Sequence, residues 1–299
     1  MNKIAFAVMG LFAAGSVAAA PDWSTAKPVK MTLFYPGQAS LEWALDKVEH
    51  SAVPDILEKN RTCAKCHMGD ANEVGDKIVK GAPAGNKKAS IEPKPVAGKA
   101  GFVPVQFQAV HDGDKIYFRL EWNSPKSAGE VMDKKNDLKA TIMFDGGGTV
   151  DGANLNGCWA TCHDDLRTMK TAKDDKKTKY IKDANLDGGK FYDYIQFRSG
   201  KGEPMIDGYI ANERVREGGK SLIKAEGKKE GDKWVVTFER KLAALGKGDH
   251  AIVPGKMYNF GVALHEGSTN FRYHYVSLGY QFALDEQGKE KNQINVVKQ

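Results

Sequence analysis

Val103-Pro104-Val105-Gln106-Phe107-Gln108-Ala109-Val110-His111-Asp112-Gly113-Asp114-Lys115-Ile116-Tyr117-Phe118-Arg119-Leu120-Glu121-Trp122 reads as two strands around a turn. Val103, Val105, Phe107 and Ala109 recur at every second position, and the same alternation resumes from Ile116 to Trp122. A period of two puts one set of side chains on each face of a strand, and His111-Asp112-Gly113-Asp114 supplies turn residues between the runs. The stretch is therefore a β-hairpin with one apolar face.

Downstream the pattern repeats. Ala140 to Phe144, Tyr192 to Arg198, Trp234 to Arg240, Tyr258 to His265, Arg272 to Leu278 and Tyr280 to Leu284 are further strand candidates, separated by Gly- and Asp-containing turns. Many short strands with few helical stretches predict a mainly β fold, an antiparallel β-sandwich over residues 101–299. Upstream the signals change. Leu41, Ala44, Leu45 and Val48 fall on one helical face behind Ser40 as N-cap, so residues 21–100 read as a small helical module followed by a Gly/Ala/Pro/Lys-rich linker from Gly81 to Lys99.

That module contains Cys63-Ala64-Lys65-Cys66-His67, and the β region contains Cys158-Trp159-Ala160-Thr161-Cys162-His163. Two cysteines followed at once by histidine read as a c-type haem attachment site. Each thiol adds to a porphyrin vinyl group, and the histidine beneath the ring ligates the iron. The second motif carries one extra residue. Together they use all four cysteines, and a disulfide framework would leave His67 and His163 unexplained. The expected cofactors are two covalently bound haem c groups, with Cys63, Cys66, Cys158 and Cys162 as attachment points.

The N-terminus supplies a route to that chemistry. Lys3, the apolar run Ile4 to Ala14 and the small residues Gly15 to Ala20 form a secretory signal peptide over residues 1–20, with the cut placed between Ala18 and Ala20. No later run reaches the ~20 apolar residues of a membrane span. The chain is expected in the periplasm, without stable membrane insertion. Its formal charge of +6 would be largely offset by up to four propionates on two haems, so nucleic acid is not an expected partner. Lysines between Lys170 and Lys179 read as a solvated loop, or as a docking patch for an acidic partner.

The hairpin from Ala109 to Trp122, Trp234-Val235-Val236-Thr237-Phe238-Glu239-Arg240-Lys241-Leu242 and Phe260-Gly261-Val262-Ala263-Leu264-His265-Glu266-Gly267 resemble ethylbenzene-dehydrogenase-type haem-binding domains over roughly residues 101–286. The resemblance implies a β-sandwich, related to haem subunits of molybdenum enzymes of the dimethyl sulfoxide reductase family. In those relatives the haem is non-covalent and held by methionine and lysine. Here Cys158-x-x-x-Cys162-His163 stands in the region of the methionine and His274 in that of the lysine. The combined design resembles periplasmic multihaem c-type cytochromes.

Two irons need four axial ligands. His67 and His163 follow from the motifs. Pairing Tyr258–His265 with Arg272–Leu278 around a 266–271 loop places Gly261, Ala263, His265, Arg272 and His274 on one face. His274 is then the distal ligand of the second haem, Arg272 a propionate partner, His265 a supporting or propionate contact, and Gly261 and Ala263 leave room for the ring. His50 is the distal candidate for the first haem; Met68 is too close to His67 to cross the ring, and Met31 lies in an extended stretch. His111 reads as a turn residue and His250 as a loop residue. Histidine on both faces keeps iron six-coordinate and low-spin, which suits electron transfer. The leading function is a periplasmic dihaem electron carrier, with a membrane quinol-oxidising cytochrome or a molybdenum reductase or dehydrogenase as partner classes. The alternatives are a haem enzyme with one open iron, such as a peroxidase or small-oxyanion reductase, and a haem-based sensor.

Overall fold

The computed structural model of the protein describes residues 20–48, 50–81, 91–92, 94–125, 130–164 and 180–299. The first strand, β1 (Val29–Phe34), pairs antiparallel with β2 (Phe102–His111) along its whole length, Val29 opposite Phe107 and Phe34 opposite Phe102. The quoted hairpin is β2 with β3 (Lys115–Asn123), registered from Gln106–Glu121 to His111–Ile116. The other strands are β4 (Leu138–Asp145), β5 (Tyr192–Arg198), β6 (Ile206–Ile210), β7 (Arg214–Val215), β8 (Leu222–Glu230), β9 (Lys233–Lys241), β10 (Tyr258–Glu266), β11 (Tyr275–Val276), β12 (Tyr280–Leu284) and β13 (Gln293–Lys298).

They form a sandwich-like sheet in the order β7-β6-β5-β4-β10-β11-β1-β2-β3-β9-β8. β12 branches from β10, and β13 runs parallel to both β12 and β2; the other pairings are antiparallel. The inner faces meet in an aromatic core. Phe107 lies 5.2 Å from Phe260, and Phe282 lies 5.5 Å from Phe260 and 5.7 Å from Phe144, centroid to centroid. All four rings are fully buried, each removing apolar surface worth about 2–3 kcal/mol.

Two expectations change. β1 belongs to the segment read as a helical module and joins the sheet of the β region beside β2. The expected linker is also partly core. Residues 82–90 and 93 lie outside the described residues, but Ile91 and Glu92 are buried, and Ile91 O accepts from Gln38 N at 2.6 Å. The expected signal peptide, up to residue 19, and the lysine-rich 170–179 stretch also lie outside the described residues.

Short helices cover the sheet where β1, β10 and β11 meet. They are α1 (Leu41–Ala44), α2 (Val53–Lys59), α3 (Cys63–His67), α4 (Ala71–Val79), α5 (Ala153–Asn156) and α6 (Cys158–Cys162). The predicted N-cap is present, with Ser40 Oγ accepting from Trp43 N at 3.2 Å, although α1 stops after one turn.

Candidate haem-binding site

The first cysteine motif forms α3, started by Thr62, whose Oγ1 accepts from Lys65 N at 3.1 Å. His67 at its end holds Nδ1 3.0 Å from Asp70 Oδ1. Across the cleft, His50 holds Nδ1 3.0 Å from Ala44 O and stacks on Trp43 at 5.7 Å. The His50 and His67 centroids are 6.3 Å apart. Cys63 lines this cleft with Trp43, Val74, Ile78, Trp159 and Leu278, whereas Cys66 is exposed. Burial pushes the Cys63 thiol up to about 12.

The second motif forms α6. Gly157 enters it at φ +80°, a conformation favouring glycine, and its backbone lies against Gly279, where a Cβ would meet Gly279 N at 2.8 Å. Cys162 and His163 line a second cleft with Ala263, His265, Arg272 and His274. His274 keeps Nδ1 2.9 Å from Phe271 O, and its centroid lies 6.2 Å from that of His163. Burial lowers His163 to about 3, helped by His274 and Arg214, and lowers His274 to about 4. Both rings are therefore neutral at ordinary pH, the form in which imidazole ligates a metal.

The two spacings test the fit to an axially ligated metal. A metal–imidazole bond is about 2.0 Å, and a ring centroid lies about 1.1 Å behind its nitrogen, so imidazoles on opposite sides of one ion hold their centroids roughly 6.3 Å apart. Both pairs match. His50, His67 and His274 also each tie Nδ1 to a carbonyl or carboxylate oxygen, leaving Nε2 as donor atom. Metal-ligating histidines are commonly oriented this way.

The assumed hairpin register is off by two. Ala263 faces Val276 and Leu264 faces Tyr275, which brings His265 rather than Ala263 opposite His274. A slip of two preserves the face, so Ala263, His265, Arg272 and His274 still line one cleft. His265 stacks on His274 at 5.0 Å and shares its acceptor, with Nε2 2.9 Å from Phe271 O.

Other readings are corrected. Arg272 is not a free propionate partner: its guanidinium pairs with Glu92 and donates to Tyr35 Oη at 2.8 Å and Tyr273 Oη at 2.9 Å. The exposed cations lining the cleft are Arg214 and Arg216, which the sequence reading missed. Gly261 makes room for α6 rather than for a ring, since a Cβ there would lie 3.3 Å from Cys158 Cβ. Cys158 is buried against that strand and, unlike Cys162, does not line the cleft. His111 ends β2 with Nε2 2.9 Å from Asp285 Oδ2, while His250 is buried with Nε2 2.9 Å from Phe191 O. Met31 is fully buried in β1 and Met68 caps α3.

The clefts are neighbours. Trp159, between the cysteines of the second motif, lines the first cleft and packs edge-on against Phe34 at 5.5 Å. Cys63 Sγ approaches Asn156 Oδ1 at 3.5 Å, and Leu41 N of α1 donates to His163 O at 3.2 Å.

Residues 20–230 match the family model for ethylbenzene dehydrogenase. Cytochrome c-552 of Stutzerimonas stutzeri is 45% identical over 284 residues, 94% of each chain. Cytochrome c-551 of Rhodocyclus tenuis is 31% identical over 94% of this chain and 100% of its own. Among solved structures, a carbohydrate binding module of family 9 from Caldicellulosiruptor kristjanssonii superimposes with a TM-score of 0.32 at 11% identity, over 66% of this chain and 75% of that one. No described helix is long and apolar enough to cross a membrane. With 211 of its residues in the family match and two relatives of nearly its own length that are c-type cytochromes, the chain belongs to the ethylbenzene dehydrogenase family as a c-type cytochrome.

Proposed function

We propose that the chain is a periplasmic dihaem c-type cytochrome that passes single electrons between redox proteins. The observation that carries this reading is the pair of imidazole spacings, 6.3 Å for His50–His67 and 6.2 Å for His163–His274. If haem is bound in each cleft, His50 with His67 and His163 with His274 would hold its iron from two sides and leave no place for a substrate. Haem supplies reversible one-electron exchange in such a setting. Cys63 and Cys66 would tether the first group and Cys158 and Cys162 the second, with Cys158 lying outside the cleft that Cys162 lines. The first cleft is lined almost wholly by apolar side chains, which exclude water, while Arg214 and Arg216 at the second would receive propionate charge.

α6 gives the relay its internal step. It presents Cys162, followed by the capping His163, to one cleft and Trp159 to the other, so groups held in the two clefts would be separated by one short helix. Partners are redox proteins of the same compartment, a membrane quinol-oxidising cytochrome or a molybdenum enzyme.

Intact mass and resting EPR of the exported protein test the proposal together. The expected result is a polypeptide heavier by two haems and two low-spin ferric signals. A gain of one haem would remove the second site. A high-spin ferric haem that binds cyanide rapidly would replace the relay with an enzyme.

A further inference from the structure

A second set of titratable groups lies away from both clefts. Asp193 of β5, Asp207 of β6 and Asp249 of the loop after β9 place carboxylate oxygens within 4.8 Å of one another. Their hydrogen bonds are divided unevenly. Each Oδ2 is engaged: Asp193 Oδ2 by the Arg240 guanidinium and by His250 N at 2.9 Å, and Asp207 Oδ2 by Leu222 N at 2.8 Å. Asp249 Oδ2 accepts from Lys220 N at 2.9 Å, Leu245 N at 3.0 Å and Gly246 N at 2.6 Å. Each Oδ1 is buried, and no donor among the described residues reaches it.

Asp193 is fully buried and Asp249 nearly so, at 6% exposure. A buried acceptor without a donor costs about 1–3 kcal/mol, more when charged, and here three converge. Three carboxylates against one guanidinium, that of the fully buried Arg240, carry a formal charge of −2 when all three are ionised. Backbone N–H donors hold all three side chains in place. What remains is a fixed group of three carboxylates, each with one oxygen that lacks a donor among the described residues.

We propose that Asp193, Asp207 and Asp249 bind a divalent cation of the calcium class through one carboxylate oxygen each. Oxygens around such an ion lie 2.3–2.6 Å from it, so any two are at most about 5 Å apart, and the observed 4.8 Å limit meets that bound. An all-oxygen donor set selects hard cations and disfavours zinc or copper, which take nitrogen or sulfur. One divalent charge balances the −2. Asp207 and the neighbouring Gly219 are only half-buried, which leaves a path for the ion.

The position gives the ion a role. β6 and β5 stand near one end of the strand order, β9 and β8 at the other. Asp207 bonds the backbone of β8, and Arg240 of β9 pairs with Asp193 of β5. The three aspartates thus sit where the ends of the sheet close on each other, and the ion clasps them. Burial, reinforced by the neighbouring Asp249 and Asp207, raises the Asp193 carboxyl to about 7; a bound cation would return it to the ionised form.

The test uses the intact holoprotein. After dialysis against about 1 mM calcium and removal of free ion, elemental analysis should return one calcium per chain beyond the haem iron. Thermal unfolding should shift upward with calcium and downward with chelator, while the haem spectrum stays unchanged. Asp207→Asn keeps the acceptor for Leu222 N and should abolish both the bound calcium and the shift. If that variant does not fold, Asp249→Asn serves in its place, and the wild-type measurement stands alone. Magnesium in place of calcium should give a smaller shift, because it demands octahedral geometry. Absence of stoichiometric calcium, with a melting temperature indifferent to calcium and chelator, would overturn the proposal and leave a cluster that shares a proton instead.

Discussion

At the scale of single residues, the ligand assignment makes the sharpest demand. His274→Ala removes the ring 6.2 Å from His163, and His50→Ala the ring 6.3 Å from His67. Each variant should show a high-spin ferric signal from its own centre and a higher potential there, since a strong donor to the oxidised iron has gone. A high-spin signal at the other centre would break the pairing. Lys99 tests a different kind of burial. Its Nζ lies 4.1 Å from the Tyr275 ring centroid and donates to Tyr273 O at 3.2 Å, and desolvation brings its pKa down to about 8. In the unfolded chain it titrates near 10.4. Between those values the unfolded state holds a proton that the folded state has released, so stability rises with pH across that window. Below pH 8 the buried charge opposes folding. Lys99→Met should therefore be more stable than the wild type at pH 7, on the order of 2 kcal/mol, and the advantage should shrink by pH 10. Denaturant titrations at the two pH values measure it; an advantage independent of pH would show that the charge is not the cause.

At the scale of elements, α6 is the piece shared by both clefts. Trp159 is nearly buried, contacts Phe34 and lines the first cleft from within the second motif. Trp159→Ala should cost about 3–5 kcal/mol by denaturation and slow electron exchange between the two haems after photoreduction of one. An unchanged internal rate would place the electron path elsewhere. The elements also show what local pattern could reveal. β5 and β12 were legible to the residue, because Tyr192 to Arg198 and Tyr280 to Leu284 are short runs rich in aromatic and branched residues between turns. β8, Leu222-Ile223-Lys224-Ala225-Glu226-Gly227-Lys228-Lys229-Glu230, was invisible: it is an exposed edge of the sheet and carries helix-forming Lys, Glu and Ala. β6 was hidden by Asp207-Gly208, which reads as a turn. The face containing His265 and His274 survived an error in register because the error was even. Arg272 did not survive as a propionate partner, since Glu92 reaches it from a segment whose composition reads as linker. Long-range ion pairs of that kind leave no periodic trace.

At the scale of the whole molecule, the decisive feature is where β1 sits. It pairs with β2 over six residues and with β11 at Phe34–Val276, beside the strand residues that follow His274. Met31 and Leu33 of β1 are fully buried, and Phe34 carries the contact to Trp159. The two cysteine motifs are therefore expected to unfold as one cooperative unit, although the sequence divides them at residue 100. A chain beginning at residue 101 would retain Cys158, Cys162, His163, His265, Arg272 and His274, all the groups that the sequence reading assigned to the second haem. It would also expose the edges of β2 and β11 and lose the core side chains of β1, each worth about 2–3 kcal/mol on burial. Such a loss is comparable with the whole stability of a typical domain, about 5–15 kcal/mol. The expected outcome is that the truncated chain fails to mature as a folded monohaem protein, and that the full chain unfolds in a single denaturant transition by haem absorbance and by tryptophan fluorescence alike. Two separated transitions, or a truncated chain that folds and holds one low-spin haem, would restore the division into independent bodies and would require the electron path between the haems to cross an interface rather than a shared core.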